Sequence, residues 1–128
     1  RAVKKDKVTH VLGLARGGLV PATIISYKLK VPLLSYAVST YEDTTKTNEL
    51  KVAQDVDFSS LAKGSKLLVV DDICDSGDTI KFIKKQIKKV DGITAIYSTL
   101  FTKKKTKRLL DHYGVVVSSD TWIDFPWE

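Results

Sequence analysis

The sequence predicts an α/β protein in three layers, with a mostly parallel central sheet between helices. Three observations carry that prediction. Along the 128 residues, apolar runs of strand length alternate with stretches of helical periodicity, the order that parallel strands joined by crossover helices require. Hydrophobic residues make up 43% of the chain, enough for the core of one ordinary domain. The densest group of acids follows directly on an apolar run, at a strand end, where open parallel sheets bind their ligands.

In chain order, Val8 to Leu14 is apolar enough for a buried first strand, and Gly17 and Gly18 break it. Leu19 to Leu29 follows as a helix, with Ile24, Ile25 and Leu29 at helical spacing. Val31 to Val38 reads as a second strand, begun by Pro32. The stretch 42–49 is polar and lacks both glycine and large apolar side chains, which predicts a mobile loop rather than core. Leu67 to Val70 contains no polar residue and reads as a short buried strand. Thr79 to Val90 sets Ile80, Ile83 and Ile87 on one face and lysines elsewhere, an amphipathic helix. Ile93 to Phe101 and Gly114 to Val117 supply two more strands. No repeat or linker interrupts this order, so one domain over 1–128 is expected.

Charge narrows the partners only a little. The 21 Lys and Arg exceed the 15 Asp and Glu by six, which suits nucleic acid, an anionic small molecule, or a lysine-rich proteome alike. The single Cys74 cannot form an internal disulfide, and it reads as a loop filler in a reducing, cytoplasmic setting. No apolar run approaches the roughly 18 residues of a membrane span and no signal peptide opens the chain, so no membrane partner is expected. The chain opens on Arg1 and contains no Met, from which we expect an N-terminal segment to be absent. Neither a G-x-S-x-G elbow nor a G-x-x-x-x-G-K-[ST] loop is present, which argues against acyl transfer and nucleoside triphosphate hydrolysis by those routes.

The chemistry concentrates in VVDDICDSGDTI, Val69 to Ile80, where four acids stand among a Ser, a Gly and a Thr. Acids this close repel one another unless a ligand gathers them. Asp71 and Asp72 leave the strand, and Asp75 to Thr79 form a turn that becomes the first turn of a helix. A helix N-terminus offers free N–H groups and partial positive charge, so Ser76, Gly77, Asp78 and Thr79 can wrap a phosphate with backbone donors and two hydroxyls. Gly77 permits close approach of the chain. The acid pair suits vicinal sugar hydroxyls or hydrated Mg²⁺. Phosphate, ribose and metal together describe a ribose phosphate ligand. A helix cap alone would explain one acid, not four.

This stretch resembles the phosphoribosyl pyrophosphate signature of type I phosphoribosyltransferases. The likeness continues in GLARGGLVPA, similar to the pyrophosphate loop of the purine branch, and in STYEDTTKTNELKV, similar to its mobile loop. DTWIDFPWE resembles the base-binding tail of the bacterial xanthine-guanine (hypoxanthine) enzymes. The resemblance runs from about His10 to Glu128. It implies the type I fold with a small C-terminal hood formed by 118–128. The implied activity is transfer of the phosphoribosyl group from phosphoribosyl pyrophosphate to guanine, xanthine or hypoxanthine, with Mg²⁺ as cofactor. It also implies a homodimer or homotetramer.

Carried over residue by residue, the resemblance assigns Asp71 and Asp72 to the metal and the ribose hydroxyls, and Asp75 to the general base beside the purine. Ser76, Gly77, Asp78 and Thr79 match the 5′-phosphate cradle. Arg16 and Gly17 match the pyrophosphate loop, where the peptide before the Arg is often cis. Lys103 takes the position that contacts the purine carbonyl, and Trp122 the one that stacks on the ring. Ile123 and Glu128 match backbone contacts to the purine's exocyclic edge. Displacing pyrophosphate builds positive charge on the sugar and negative charge on the leaving group, so acids at one end and Arg16 with Mg²⁺ at the other stabilise both. The polar stretch 42–49 suits a lid that keeps water from the reacting sugar.

Departures and rivals complete the reading. Asp78 stands where related enzymes carry Gly or Thr, and is expected to point away as a first-turn acid favoured by the helix dipole. Lys103 opens the run KKKTKR, a solvated face able to draw in a polyanion. A response-regulator receiver has its acid pair on the first strand, whereas here two strands precede it. A phosphoribosyltransferase-fold regulator that binds nucleic acid would need neither a general base nor a stacking tail, and Asp75, Lys103 and Trp122 favour the enzyme. Nucleic acid is therefore not an expected partner.

Overall fold

The computed structural model of the protein describes residues 7–41 and 49–128. Six strands and two longer helices alternate: β1 (His10–Ala15), α1 (Leu19–Leu29), β2 (Leu33–Tyr41), β3 (Glu49–Gln54), β4 (Lys66–Cys74), α2 (Asp78–Lys88), β5 (Thr94–Lys103) and β6 (His112–Val117). Short 3-10 turns stand at Phe58–Ser60 and Lys107–Leu109. The sheet runs β3-β2-β1-β4-β5-β6, with every neighbouring pair parallel except β2 and β3. Among the described residues no helix is long and apolar enough to cross a membrane.

Strand alternation makes the three layers. Along β4, Leu67 and Val69 enter one core with Ile80, Ile83 and Ile87 of α2, while Leu68 and Val70 enter the other with Ala22 of α1. Val11 and Leu12 on β1 divide in the same way. A strand buried on both faces must be apolar throughout, which is why the run at 67–70 carries no polar side chain.

The helices obey different constraints. α2 is amphipathic as expected, with Asp78 in its first turn and Lys85 and Lys88 in its last, each matched to the helix dipole. α1 ends where Lys30 turns left-handed at φ 57°, two residues before Pro32. It is apolar on both faces: Ala22 is buried, yet Val20, Ile24 and Tyr27 lie exposed on the outside. Ile24, one of the three residues at helical spacing, points outward.

Two expectations need correction. β4 does not stop at Val70 but pairs with β5 as far as Cys74, so Asp71 and Asp72 belong to the strand rather than to a loop. Backbone pairing with a neighbour continued it where side-chain polarity signalled an end. The segment ELKVAQ forms the edge strand β3, antiparallel to β2. An edge strand has one neighbour and needs no apolar run, so its pattern is weak. The expected lid, 42–49, lies outside the described residues apart from Glu49, which opens β3.

Sheet order positions the site. α1 leaves the end of β1 and crosses to one face; α2 leaves the end of β4 and crosses to the other, as their separate cores record. β1 and β4 are neighbours, so their carboxyl ends diverge around a crevice at the topological switch point. Because Ile83 is fully buried in the core between α2 and the sheet, Ile83→Ala should destabilise the fold by about 2–5 kcal/mol, read as a lower urea midpoint with unchanged slope.

Candidate active site

At the switch point the acid pair is built by the backbone. The Asp71 carboxylate accepts from the Asp72 N–H at 2.8 Å, and the Asp72 carboxylate accepts from the Ile73 N–H at 2.7 Å, which fixes both side chains against their own strand. Asp71 is held well above the usual carboxylate range: burial is the main cause, and a hydrogen bond to the Asp72 carboxyl and that group's charge add to it. Two acids forced together at the end of a buried strand invite a cation or hydroxyl donors. Among the described residues no three His, Cys, Asp or Glu side chains gather around one point. Mg²⁺ needs no such cage, since it is commonly held by one or two carboxylates with the rest supplied by water and phosphate oxygens, and the acid pair fits that role.

Gly17 faces this pair directly, and a methyl group there would overlap the Asp72 carboxylate. The close approach of the β1 loop to β4 therefore requires glycine. The Ala15–Arg16 peptide is cis, as the resemblance implied. Arg16, Gly17, Val20 and Asp72 enclose a cleft of about 460 Å³ together with Trp127 and Glu128.

Two smaller hollows are lined by the acid loop. One of about 110 Å³ is lined by Asp71, Asp75, Ser76, Gly77 and Thr79 at the start of α2. Gly77 adopts φ 85°, a backbone conformation that favours glycine, and a Cβ there would lie 2.5 Å from Leu109 Cδ1 and displace that side chain. The Ser76 hydroxyl accepts from the Asp78 N–H at 3.3 Å. Asp78 itself is exposed and lines none of these hollows, in keeping with an outward first-turn acid. The other hollow, about 80 Å³, brings Asp72, Ile73 and Asp75 against Trp122, Ile123 and Glu128 of the tail. Asp72 is thus common to the cleft and the tail hollow, and Asp75 to the loop and the tail hollow. A separate apolar groove of about 370 Å³ beside α1, β5 and β6 contains none of these acids.

The tail is held from within. Phe125 is buried and meets Phe101 of β5 edge-on at 5.6 Å, while Trp127 stacks on Phe125 at 5.1 Å. Trp122 is 82% exposed, its broad face open to a ligand. Glu128 accepts from the Phe125 N–H at 3.0 Å. Lys103 does not join the solvated face expected of its run: it is buried, and its ammonium donates to the carbonyls of Ser118 at 3.0 Å, Ser119 at 3.4 Å and Thr121 at 2.5 Å. All three of its donors hold the tail. Val20 and Trp127, to which the sequence pattern gave no site role, both line the main cleft; an indole beside Glu128 in the tail was the available signal. Cys74 is buried and its thiol is pushed up by that burial, so it serves as filler and not as a nucleophile.

The raised Asp71 predicts a pH signature. The folded state binds this proton more tightly than the unfolded chain, so stability falls as pH rises from the ordinary aspartate range through the raised value. Asp71→Asn removes that cost. Thermal melts should show the variant more stable than wild type at neutral pH and level with it in strong acid; a less stable variant at neutral pH contradicts the assignment.

Residues 1–128 match the phosphoribosyl transferase domain family. A xanthine-guanine phosphoribosyltransferase of Idiomarina loihiensis is 33% identical over 129 residues, spanning all of this chain and 76% of the relative. The structure of a purine phosphoribosyltransferase from Pyrococcus horikoshii matches with a TM-score of 0.88 at 27% identity, over 99% of this chain and 82% of that one. That of the Helicobacter pylori xanthine-guanine-hypoxanthine phosphoribosyltransferase matches at 0.77 and 27%, over 94% and 75%. With the match running the whole length of the chain, and the acid loop sitting where this fold gathers ligands, the chain belongs to the phosphoribosyltransferase domain family.

Proposed function

We propose that the protein transfers the 5-phosphoribosyl group of phosphoribosyl pyrophosphate to a 6-oxopurine (guanine, xanthine or hypoxanthine), releasing pyrophosphate and forming the nucleoside monophosphate. One observation carries the reading: the tail hollow shares Asp72 with the main cleft and Asp75 with the hollow at the start of α2, so a ligand with three chemically different parts can be gathered around one acid loop. The three relatives described above, named for purine or xanthine-guanine(-hypoxanthine) transfer, support it.

Each hollow suits one part of the substrates. Ser76, Gly77 and Thr79 at the start of α2 receive the 5′-phosphate through backbone N–H groups and hydroxyls. Arg16 and Gly17 receive the pyrophosphate in the larger cleft, where the guanidinium offsets the negative charge of the leaving group. Asp71 and Asp72 take the ribose hydroxyls and would hold Mg²⁺, which supplies charge neutralisation at the leaving oxygens. Trp122 stacks on the base, with Ile123 and Glu128 along its edge. Asp75 stands between the phosphate hollow and the tail hollow, and accepts the proton that the purine nitrogen loses as it bonds to C1 of ribose.

Lys103 acts first by holding the tail. A purine carbonyl reaches its ammonium by displacing the weakest of the three bonds, that to Ser119. The reading extends to a homodimer or homotetramer in the cytoplasm; the exposed Ile24 and Tyr27 on α1 are apolar surface a second copy would cover.

Asp75→Asn should lower turnover by about 10²–10⁴-fold in steady-state assays while substrate KM values stay close to wild type. Near-normal turnover removes Asp75 from proton transfer. Adenine presents a donor where Lys103 needs an acceptor, so initial rates should favour hypoxanthine over adenine by at least about tenfold. Equal rates would overturn the pairing of Lys103 with the purine carbonyl.

A further inference from the structure

The turn that follows β5 touches both halves of the site. At one side, Lys103 holds the tail through its ammonium. Three residues on, Thr106 is 5% exposed, and its hydroxyl donates to the carbonyl of Cys74, 32 residues away, at 3.0 Å. Its N–H donates to the Lys103 carbonyl at 3.1 Å, which closes the turn. The Lys103 carbonyl lies 3.2 Å from the Thr106 hydroxyl and also 3.2 Å from that of the fully buried Thr102, which can donate to it; the Cys74 carbonyl is the nearer acceptor for the single Thr106 proton. The same segment meets the acid loop a second time where Gly77 packs on Leu109, whose carbonyl accepts from Lys84 at 2.7 Å.

The Cys74 carbonyl belongs to the peptide that joins Cys74 to Asp75. Pinning this oxygen sets the plane of that peptide, and with it the position from which the Asp75 side chain departs. Asp75 is exposed, and among the described residues its side chain makes no hydrogen bond that would hold it. Its aim is therefore set through the backbone. We propose that Thr106 is a positioning residue that keeps Asp75 in register with the base-binding tail, the turn at 103–106 serving as a common mount for acid loop and tail. The inference rests on the reading of Asp75 as the proton acceptor.

The geometry makes the consequence specific. Removing the hydroxyl leaves a buried carbonyl without its donor and frees the peptide to rotate, which misaims the carboxylate without emptying any of the three hollows. Turnover suffers and substrate binding does not.

Steady-state kinetics on the full chain test this with Thr106→Val, Thr106→Ser, Asp75→Asn and the double variant. Thr106→Val should lower kcat about tenfold with both KM values within about twofold of wild type, and Thr106→Ser, which keeps the hydroxyl, should restore it. In the Asp75→Asn background, Thr106→Val should have no further effect, because the group it positions is gone. A Thr106→Val protein that melts earlier but turns over normally when folded overturns the proposal, as does an equal loss of kcat with and without Asp75. If Thr106→Val does not fold, Thr106→Ala removes the hydroxyl without adding bulk, and a wild-type kcat in that variant overturns the proposal equally. An Asp75→Asn enzyme with near-normal turnover fails the proton-acceptor reading by itself and removes this inference with it, an outcome distinct from a slow Asp75→Asn enzyme in which Thr106 still matters.

Discussion

Two carboxyl groups held side by side at the end of β4 set the terms for everything around them. The strand reaches Asp71 and Asp72 from a run buried on both faces, Leu67 to Val70, so the pair emerges directly from the core of the sheet. Burial and the neighbouring acid raise Asp71, a cost the fold bears only because two cores clamp the strand beneath it. The close approach of Gly17 follows from the same constraint, since no larger residue fits against the Asp72 carboxylate. A ligand that brings cations or hydroxyl donors to the pair relieves the repulsion, so affinity for substrate and instability of the empty site have one origin.

Buried polar groups at the far side of the site work differently, because each is satisfied within the chain. Lys103, with three tail carbonyls, and Thr106, with the Cys74 carbonyl, convert a turn in a lysine-rich run into the joint between acid loop and tail. A buried ammonium without these acceptors would be costly, and the cost enforces the tail's path. Phe125 against Phe101 adds apolar contact to the same end.

Several elements were legible because their signals are local. The α1 boundaries follow from glycines before the helix and the approach of Pro32 after it, and α2 from the period of Ile80, Ile83 and Ile87. The phosphate-type loop was legible for the same reason: Ser, Gly and Thr at a helix start act through their own backbone. What remained hidden depended on a neighbour. The strand β3, the extension of β4 to Cys74 and the outward turn of Ile24 each record which surface another element covers.

By itself, then, the sequence determined the alternation of strands and helices, the acid loop with its glycine, and the residue types able to meet a phosphate, a sugar and a flat base. These are properties of short stretches, decided by period, backbone freedom and side-chain chemistry. Only the tertiary structure decided that Asp72 and Asp75 are shared among adjoining hollows, that Trp127 lines the cleft of Arg16, and that Lys103 spends its donors on the tail. Those facts join residues distant in the chain, and strand order at the switch point is what brings them within reach of one another.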